Sequence, residues 1–172
     1  MENQKGRLYW ITGLSGAGKT TISTLLYNYL RQKQDNIFLI DGDKIREVYQ
    51  NTDYTEAGRE KISYMNMRLC KMLTDQGIDV IIAVIAMRDA YRKWNRENIE
   101  NYREIYLEVP MEELIRRDSK QIYSRALRKE LTNVYGIDIP YEEPKNPDVH
   151  IINDSTNTPE EVCQMIVEQL SL

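Results

Sequence analysis

The sequence has few of the residues that stabilise or equip many small proteins by cross-linking or metal binding. Its 172 residues include two cysteines, one histidine and one phenylalanine. Cys70 and Cys163 lie in helical patterns without a CxxC partner, so we expect two buried, reduced thiols. His150 lies in a predicted strand among apolar neighbours, where we expect it to be a packed structural residue. The sequence therefore argues against a disulfide scaffold and against a cysteine-based metal centre.

Long apolar runs and an excess of positive charge are also missing. No run approaches the roughly 20 apolar residues that a membrane-spanning helix needs, and the N-terminal Met-Glu-Asn-Gln-Lys-Gly does not fit a signal peptide. A net charge of −4 argues against broad binding to nucleic acid or acidic membranes. We therefore expect a cytoplasmic protein that binds neither. A length of 172 residues, with 41% hydrophobic and 29% charged residues, favours one globular domain over residues 1–172.

A phosphate-binding loop follows the first apolar run. Residues 13–20 match the pattern G-x-x-x-x-G-K-[ST]. Glycines allow successive backbone amides to point at phosphate oxygens, and the helix that begins near Gly18 adds its positive end. Lys19 reaches the outer phosphates in such loops, and the hydroxyl of Thr20 holds Mg²⁺. The sequence therefore predicts a nucleoside-triphosphate site with Mg²⁺ on Thr20.

Strand and helix patterns alternate along the chain. Apolar runs predict strands at 8–12, 37–40, 79–85, 104–109 and 149–152. Helical patterns lie at 19–33, 44–49, 56–76, 90–100, 111–117 and 159–170. Continuous apolar strands are typical of a parallel sheet buried on both faces. We expect a three-layer α/β domain with the P-loop NTPase or kinase fold, a parallel five-stranded sheet, and a lid over about residues 118–147.

Acidic residues follow the second predicted strand. Asp41 and Asp43 stand at its carboxyl end, where parallel sheets bind ligands. Either carboxylate can accept a proton from an attacking hydroxyl or hold Mg²⁺ through water, and Arg46 can clamp a phosphate or sulfate. The alternative is an Asx turn that caps the next helix. Because the third strand ends in Ala86-Met87 without a Walker B acid, Asp41 and Asp43 are the candidates for metal and base chemistry.

These motifs resemble those of the adenylylsulfate kinase family over about residues 7–154. Besides the loop and Asp-Gly-Asp-x-x-Arg, the resemblance rests on two lid motifs, Arg117-Asp118-Ser119-Lys120-x-x-Tyr123 and Gly136-Ile137-Asp138-x-Pro140-Tyr141-Glu142-x-Pro144-x-x-Pro147. It implies an enzyme that uses ATP and Mg²⁺ to phosphorylate the ribose 3′-hydroxyl of adenylylsulfate. Family members often dimerise, so a homodimer is an alternative to a monomer.

The resemblance also implies roles for individual residues. Catalysis would fall to Lys19, Asp41 and Asp43. ATP would be bound by Gly13, Leu14, Ser15, Gly16, Ala17, Gly18, Lys19, Thr20, Thr21 and Arg117, with Mg²⁺ on Thr20. The acceptor nucleotide would be bound by Asp41, Asp43, Arg46, Tyr54, Arg59, Arg88, Lys120, Val134 and Ile137. The lid would close on the phosphates through Lys120, Arg125 and Arg128, although Leu127 occupies the place of the family's lid arginine.

The acceptor side departs from the family pattern. Tyr54 stands in a shortened segment where the family has a phenylalanine, and Ile62 stands where it has an asparagine. In the lid, Val134 occupies the place of a second aromatic ring that would sandwich adenine. One aromatic stacking partner contributes about 1–3 kcal/mol to base binding. These changes are therefore large enough to alter the choice of acceptor base.

The sequence is compatible with two acceptor nucleotides. APS-kinase-like proteins with Trp94-Asn95-Arg96-Glu97-Asn98 after the third strand resemble those of capsule-modification pathways, where one activity phosphorylates cytidine diphosphoramidate. A smaller pyrimidine fits beside Val134, and Arg88 or Asn95 can read a cytosine edge. The acceptor is thus adenylylsulfate or cytidine diphosphoramidate. The further alternatives are a small-metabolite kinase of the gluconate or shikimate type and a nucleotide-binding module without catalysis.

Overall fold

The computed structural model describes residues 4–172 and is built on a five-stranded parallel sheet. The strands are β1 (Arg7–Thr12), β2 (Ile37–Asp41), β3 (Asp79–Val84), β4 (Asn101–Glu108) and β5 (Val149–Ile152). They are arranged in the order β2-β3-β1-β4-β5, and every pair is parallel. We expect no signal peptide at the N-terminus. Residues 1–3 of that segment lie outside the described residues. Within residues 4–172, no helix combines the length and the apolar character needed to span a bilayer.

Helices cover both faces of this sheet. They are α1 (Lys19–Arg31), α2 (Gly42–Val48), α3 (Glu56–Asp75), α4 (Asp89–Asn98), α5 (Met111–Arg117), α6 (Ile122–Leu127) and α7 (Pro159–Gln169). Because successive strand residues point to opposite faces, Tyr9 and Ile11 belong to one buried cluster, whereas Leu8 and Trp10 belong to another. The first cluster lies against α1 and α7 and the second against α3 and α4. The predicted three-layer α/β fold is confirmed.

The elements differ from the predicted ones mainly at their ends and in the lid. Strand β4 begins at Asn101 rather than at residue 104, because its first three residues pair with the start of β1. Helix α2 begins at Gly42, directly after the aspartate that caps it. The lid contains an unpredicted helix, α6, preceded by a short 3₁₀ turn at Ser119–Gln121. All parallel strands end at one edge of the sheet, and the loops at that edge carry the candidate site.

The expected burial of His150 was wrong. Strand β5 lies at the edge of the sheet, so Val149 and Ile151 are buried whereas His150 faces outward and is exposed. The imidazole stacks on the ring of Tyr106, with centroids 5.1 Å apart, and its Nε2 lies 2.6 Å from a carboxylate oxygen of Glu108. An edge strand covered on one face alternates buried and exposed residues, and His150 falls on the open face. The prediction of two buried, unpaired cysteines is confirmed.

Candidate active site

The phosphate-binding loop connects β1 to α1 in a conformation that requires glycine. Gly18, which precedes α1, has a φ of 85°, in the left-handed region where a side chain causes strain. A Cβ atom at Gly13 would lie 2.5 Å from the carbonyl oxygen of Leu107 in β4. The loop is therefore held close to the neighbouring strand. The loop leads directly into the amino end of α1. Its backbone amides therefore lie beside the positive end of the helix, as an anion-binding site requires.

Lys19 folds back over this loop. Its Nζ donates a hydrogen bond of 2.8 Å to the carbonyl oxygen of Leu14. Burial lowers the pKa of Lys19 to about 8, although the carboxylates of Asp43 and Asp41 act in the opposite direction. The ammonium group thus lies between the loop and the two aspartates. A phosphate group bound at this position would favour the charged form of the Lys19 amine.

Asp41 connects the end of β2 to the loop. One oxygen accepts a 2.7 Å hydrogen bond from the hydroxyl of Thr20, and the other accepts the amides of Asp43 and Lys44 at 2.9 and 3.2 Å. Desolvation raises the pKa of Asp41, but these hydrogen bonds outweigh it and lower the pKa below its usual value. Asp41 therefore caps α2 and also contacts the hydroxyl expected to hold Mg²⁺, so the two interpretations of this residue are compatible.

Asp43 contacts the lid instead. Its carboxylate forms an ion pair with the ammonium of Lys120, in the turn before α6. Lys120 has a φ of 59°, and the hydrogen-bonded carboxylate raises its pKa. Both side chains are largely exposed. The structure thus brings together Lys19, Asp41, Asp43 and Lys120, which are distant in sequence.

A cleft of about 480 Å³ opens beside the loop. Its lining residues are Gly16, Gly18, Thr21, Ile22, Arg117, Ser119, Asn153, Ser155, Asn157 and Pro159. The guanidinium of Arg117 donates to the carbonyl oxygens of Gly16 and Asn153, at 3.2 and 2.7 Å. The amide of Asn153 in turn donates to the carbonyl of Ala17 at 3.0 Å. The loop after β5 was not among the predicted site residues, although its position at a strand's carboxyl end could have indicated it.

The lid is packed against the loop through α6. Tyr123 is fully buried, and its hydroxyl donates a 2.7 Å hydrogen bond to the carbonyl of Ser15. The carboxylate of Asp118 accepts the amides of Tyr123 and Ser124, both at 3.1 Å, and so caps the helix. Arg125, Leu127 and Arg128 all lie exposed on this helix or at its end. Helix α6 of the lid is therefore held against the phosphate-binding loop by a buried contact.

The predicted acceptor residues form a stack of rings and guanidinium groups. The guanidinium carbons of Arg46 and Arg59 lie 4.5 and 5.4 Å from the ring centroid of Tyr54. Arg59 also lies 4.9 Å from the ring of Tyr135 and donates to the carbonyl of Asn133 at 2.7 Å. Cation–π contacts of this kind are attractive. Arg59 thus joins the start of α3 to the lid, and the ring of Tyr135, which was not among the predicted residues, belongs to the same stack.

Val134 and Ile137 lie within the lid itself. Val134 is buried in the hydrophobic core, and its amide donates to the carboxylate of Asp138 at 2.6 Å. Ile137 is half-buried beside this core. The ring that faces Arg59 belongs to Tyr135, one residue further along the chain. The aromatic surface of this part of the lid is therefore displaced by one residue from the expected position.

Of the two residues suggested to read a cytosine edge, one is in the wrong place. Asn95 is fully buried in the second half of α4, which leads to the start of β4 at the opposite edge of the sheet. The expectation for Asn95 was therefore wrong. Arg88 precedes α4 at the carboxyl edge of the sheet and pairs with Glu56 at the start of α3. It therefore lies beside the other predicted acceptor residues.

The geometry of the site defines a class of protein. A phosphate-binding loop, two carboxylates at the end of the adjacent strand and a basic lid are the parts of a P-loop phosphotransferase. Among residues 4–172, no group of three or more His, Cys, Asp or Glu side chains could hold a metal ion. Phosphates and one or two protein oxygens, rather than a protein cage, are the usual Mg²⁺ ligands in this class.

Comparisons with known proteins identify the family. The family model described as adenylylsulphate kinase matches residues 5–152, and the chain belongs to this family. It is 41% identical to the cytidine diphosphoramidate kinase of Campylobacter jejuni, over 96% of each chain. It is 34% identical to a probable adenylyl-sulfate kinase of Pyrococcus abyssi, over 96% of this chain and 95% of the other.

A solved structure agrees over the same length. The Mycobacterium tuberculosis APS kinase CysC, in complex with AMPPNP and APS, has a TM-score of 0.88 and 28% identity, covering 98% of this chain and 99% of that one. The expectation of an ATP-dependent kinase of this family is confirmed. The gluconate or shikimate type and the non-catalytic module are set aside.

Proposed function

We propose that this enzyme transfers the γ-phosphate of ATP to the ribose 3′-hydroxyl of cytidine diphosphoramidate. The choice between the two acceptors rests on the residues at the predicted acceptor site. Val134 and Ile62 are both buried, each 5% exposed, where the family pattern has a stacking ring and an asparagine. Tyr54 lies between two guanidinium groups. The similarity to the C. jejuni kinase over almost the whole chain supports the same acceptor.

On the donor side, the oxygens of Thr20 and Asp41 fit Mg²⁺. They are hard ligands that lie 2.7 Å apart at the base of the loop. When bound, Mg²⁺ would neutralise charge on the transferred phosphate. Lys19 and the loop amides would stabilise the same charge from the opposite direction, and Arg117 would border the donor in the 480 Å³ cleft.

The two aspartates have different surroundings, and we assign them different roles. Both oxygens of Asp41 are engaged by Thr20 and by the cap of α2. Asp43 is more exposed and presents its carboxylate to the lid. We assign to Asp43 the proton of the attacking 3′-hydroxyl, with Lys120 orienting the carboxylate. As the acceptor oxygen bonds to the γ-phosphorus, the bond to the bridging oxygen breaks and ADP leaves.

The proposal is tested by ADP release with ATP·Mg²⁺ and each acceptor separately. We expect strong turnover of cytidine diphosphoramidate, weak turnover of adenylylsulfate and no turnover of gluconate or shikimate. The 3′-deoxy analogue of the cytidine acceptor should be inert and the 2′-deoxy analogue active, which checks the position of transfer. A Lys19→Ala preparation supplies the background rate. Preference for adenylylsulfate would contradict the proposed acceptor.

Two further expectations stay predictions. Family members often dimerise, and we propose a homodimer, to be measured by light scattering of the purified chain. The cytoplasmic location is likewise a prediction, to be measured by fractionation of cells that express the intact protein.

A further inference from the structure

Glu56 and Arg88 form an ion pair at the acceptor edge of the sheet. Glu56 is the first residue of α3, and Arg88 immediately precedes α4. The contact joins Oε1 of Glu56 to one terminal nitrogen of Arg88, so the second carboxylate oxygen and the other guanidinium nitrogens lie outside it. The two side chains retain 63% and 28% exposure. Polar groups of both kinds therefore border open space at this edge.

This pair lies beside the proposed acceptor residues Arg59 and Tyr135. Arg59 lies three residues after Glu56 on α3, a spacing that places both on one side of the helix. Tyr135, whose ring faces Arg59, also lies beside Arg88. Burial lowers the pKa of Arg88, but Tyr135 and the carboxylates of Glu56 and Glu142 outweigh this effect and raise it. The guanidinium thus stays charged and lies beside Glu56 and Tyr135.

The pair contributes little to holding the fold together. Ion pairs this exposed typically contribute about 0–1 kcal/mol to the free energy of unfolding. Neither Glu56 nor Arg88 belongs to the hydrophobic core. A carboxylate and a guanidinium side by side are nevertheless a specific combination, because one only accepts hydrogen bonds and the other only donates them.

We propose that Glu56 and Arg88 select the base of the acceptor nucleotide, an inference that rests on the proposed function. Cytosine presents an amino donor beside two acceptors, N3 and O2. The Glu56 carboxylate would accept from the amino group, and the Arg88 guanidinium would donate to the neighbouring acceptors. Uracil places a carbonyl oxygen where cytosine has the amino group, so it would face the carboxylate. Adenine offers one ring acceptor beside its amino group on each edge, N1 or N7, so on either edge a guanidinium donor would stay unpaired.

The test compares two acceptors in the same preparation. The ratio of kcat/KM for cytidine diphosphoramidate to kcat/KM for uridine diphosphoramidate does not depend on how much enzyme is folded. A merely structural role of Glu56 would lower both values and leave the ratio unchanged. We expect the wild-type ratio to exceed about ten, since an unpaired polar group at a recognition site costs about that much or more. In Glu56→Gln the amide can donate as well as accept, so the ratio should fall several-fold towards one.

Glu97→Gln is the matched control. Glu97 is 59% exposed and pairs with Lys93 at 3.8 Å, at the far end of α4 from Arg88. This variant should keep the wild-type ratio. An unchanged ratio in Glu56→Gln, with wild-type preference for cytidine, would overturn this inference and leave the proposed function standing. A wild-type preference for adenylylsulfate would overturn both.

Discussion

The proposed donor and acceptor sides of this site are built in different ways. The donor side is mostly one continuous loop whose backbone is held by hydrogen bonds from Tyr123, Arg117 and Asn153. The acceptor side combines side chains from the α2–α3 connection, the end of β3 and the lid, and Arg59 joins two of these segments. Recognition by backbone is difficult to alter one residue at a time. Recognition by separate side chains can change its ligand while the loop stays the same.

The largest expected effect is on the donor side. Lys19→Ala should lower kcat by roughly a thousandfold, because it removes a charge aimed at the transferred phosphate. The side chain is half-buried, and among residues 4–172 its amine bonds only to the loop carbonyl of Leu14, so the fold should persist. Steady-state turnover measures kcat, and circular dichroism measures whether the fold persists. A rate near that of the wild type would remove Lys19 from the proposed catalytic set.

The two aspartates provide the next comparison. Asp43→Asn should lower kcat by about a hundredfold or more while the KM for ATP changes little, because it removes the proposed base. Asp41→Asn should also lower kcat and should in addition raise the Mg²⁺ concentration needed for half-maximal rate, because Asp41 contacts Thr20. Turnover titrated with Mg²⁺ separates the two. Equal Mg²⁺ dependence in both variants would refute the division of roles.

Arginine variants on the two sides should have opposite effects. Arg59→Met should raise the KM for the acceptor by about tenfold, as expected for loss of a charged contact, and leave the KM for ATP unchanged. Arg117→Met should do the reverse, because Arg117 borders the donor cleft. Both KM values are measured for each variant. If each variant affects both substrates equally, the site does not divide into the two sides described.

The smallest effect is a pH dependence confined to the donor side. The pKa of Lys19 is lowered to about 8 in the absence of ligand. Its charged form, which binds phosphate, is therefore present below pH 8 and is lost as the pH rises through 8. We expect ATP affinity to fall several-fold between pH 7 and pH 9, as measured by calorimetry. The same loss in Lys19→Arg, whose charge persists, would assign the titration to another group.

The loop could be predicted from sequence because its function is encoded in spacing. Glycines fix the path of the backbone, and Lys19 and Thr20 follow at set positions, so no distant contact is needed. Asp41 could be predicted for a related reason, since a residue at the end of a parallel strand lies at the ligand edge. Its second role as the cap of α2 is equally local.

The acceptor side could be predicted only in part because its arrangement depends on distant contacts. Helix α6 is six residues long and forms with a cap from Asp118 and a buried contact from Tyr123 to the loop. The family pattern has an aromatic ring at position 134, whereas here the ring that faces Arg59 is that of Tyr135. Which of the two side chains faces Arg59 depends on how the lid packs. Asn95 was misplaced because its distance from Arg88 along the chain does not reveal that α4 carries it to the opposite edge.

We propose that the donor side follows the family pattern while the acceptor side is fitted to a cytidine nucleotide. The most direct test is a competition in which one preparation, with ATP·Mg²⁺, receives equal concentrations of cytidine diphosphoramidate and adenylylsulfate. The ratio of the two phosphorylated products gives the ratio of kcat/KM values. We predict at least about a tenfold excess of the cytidine product, since one unpaired polar group at a recognition site lowers kcat/KM by about that factor. An excess of the adenylylsulfate product would contradict the proposed cytidine acceptor.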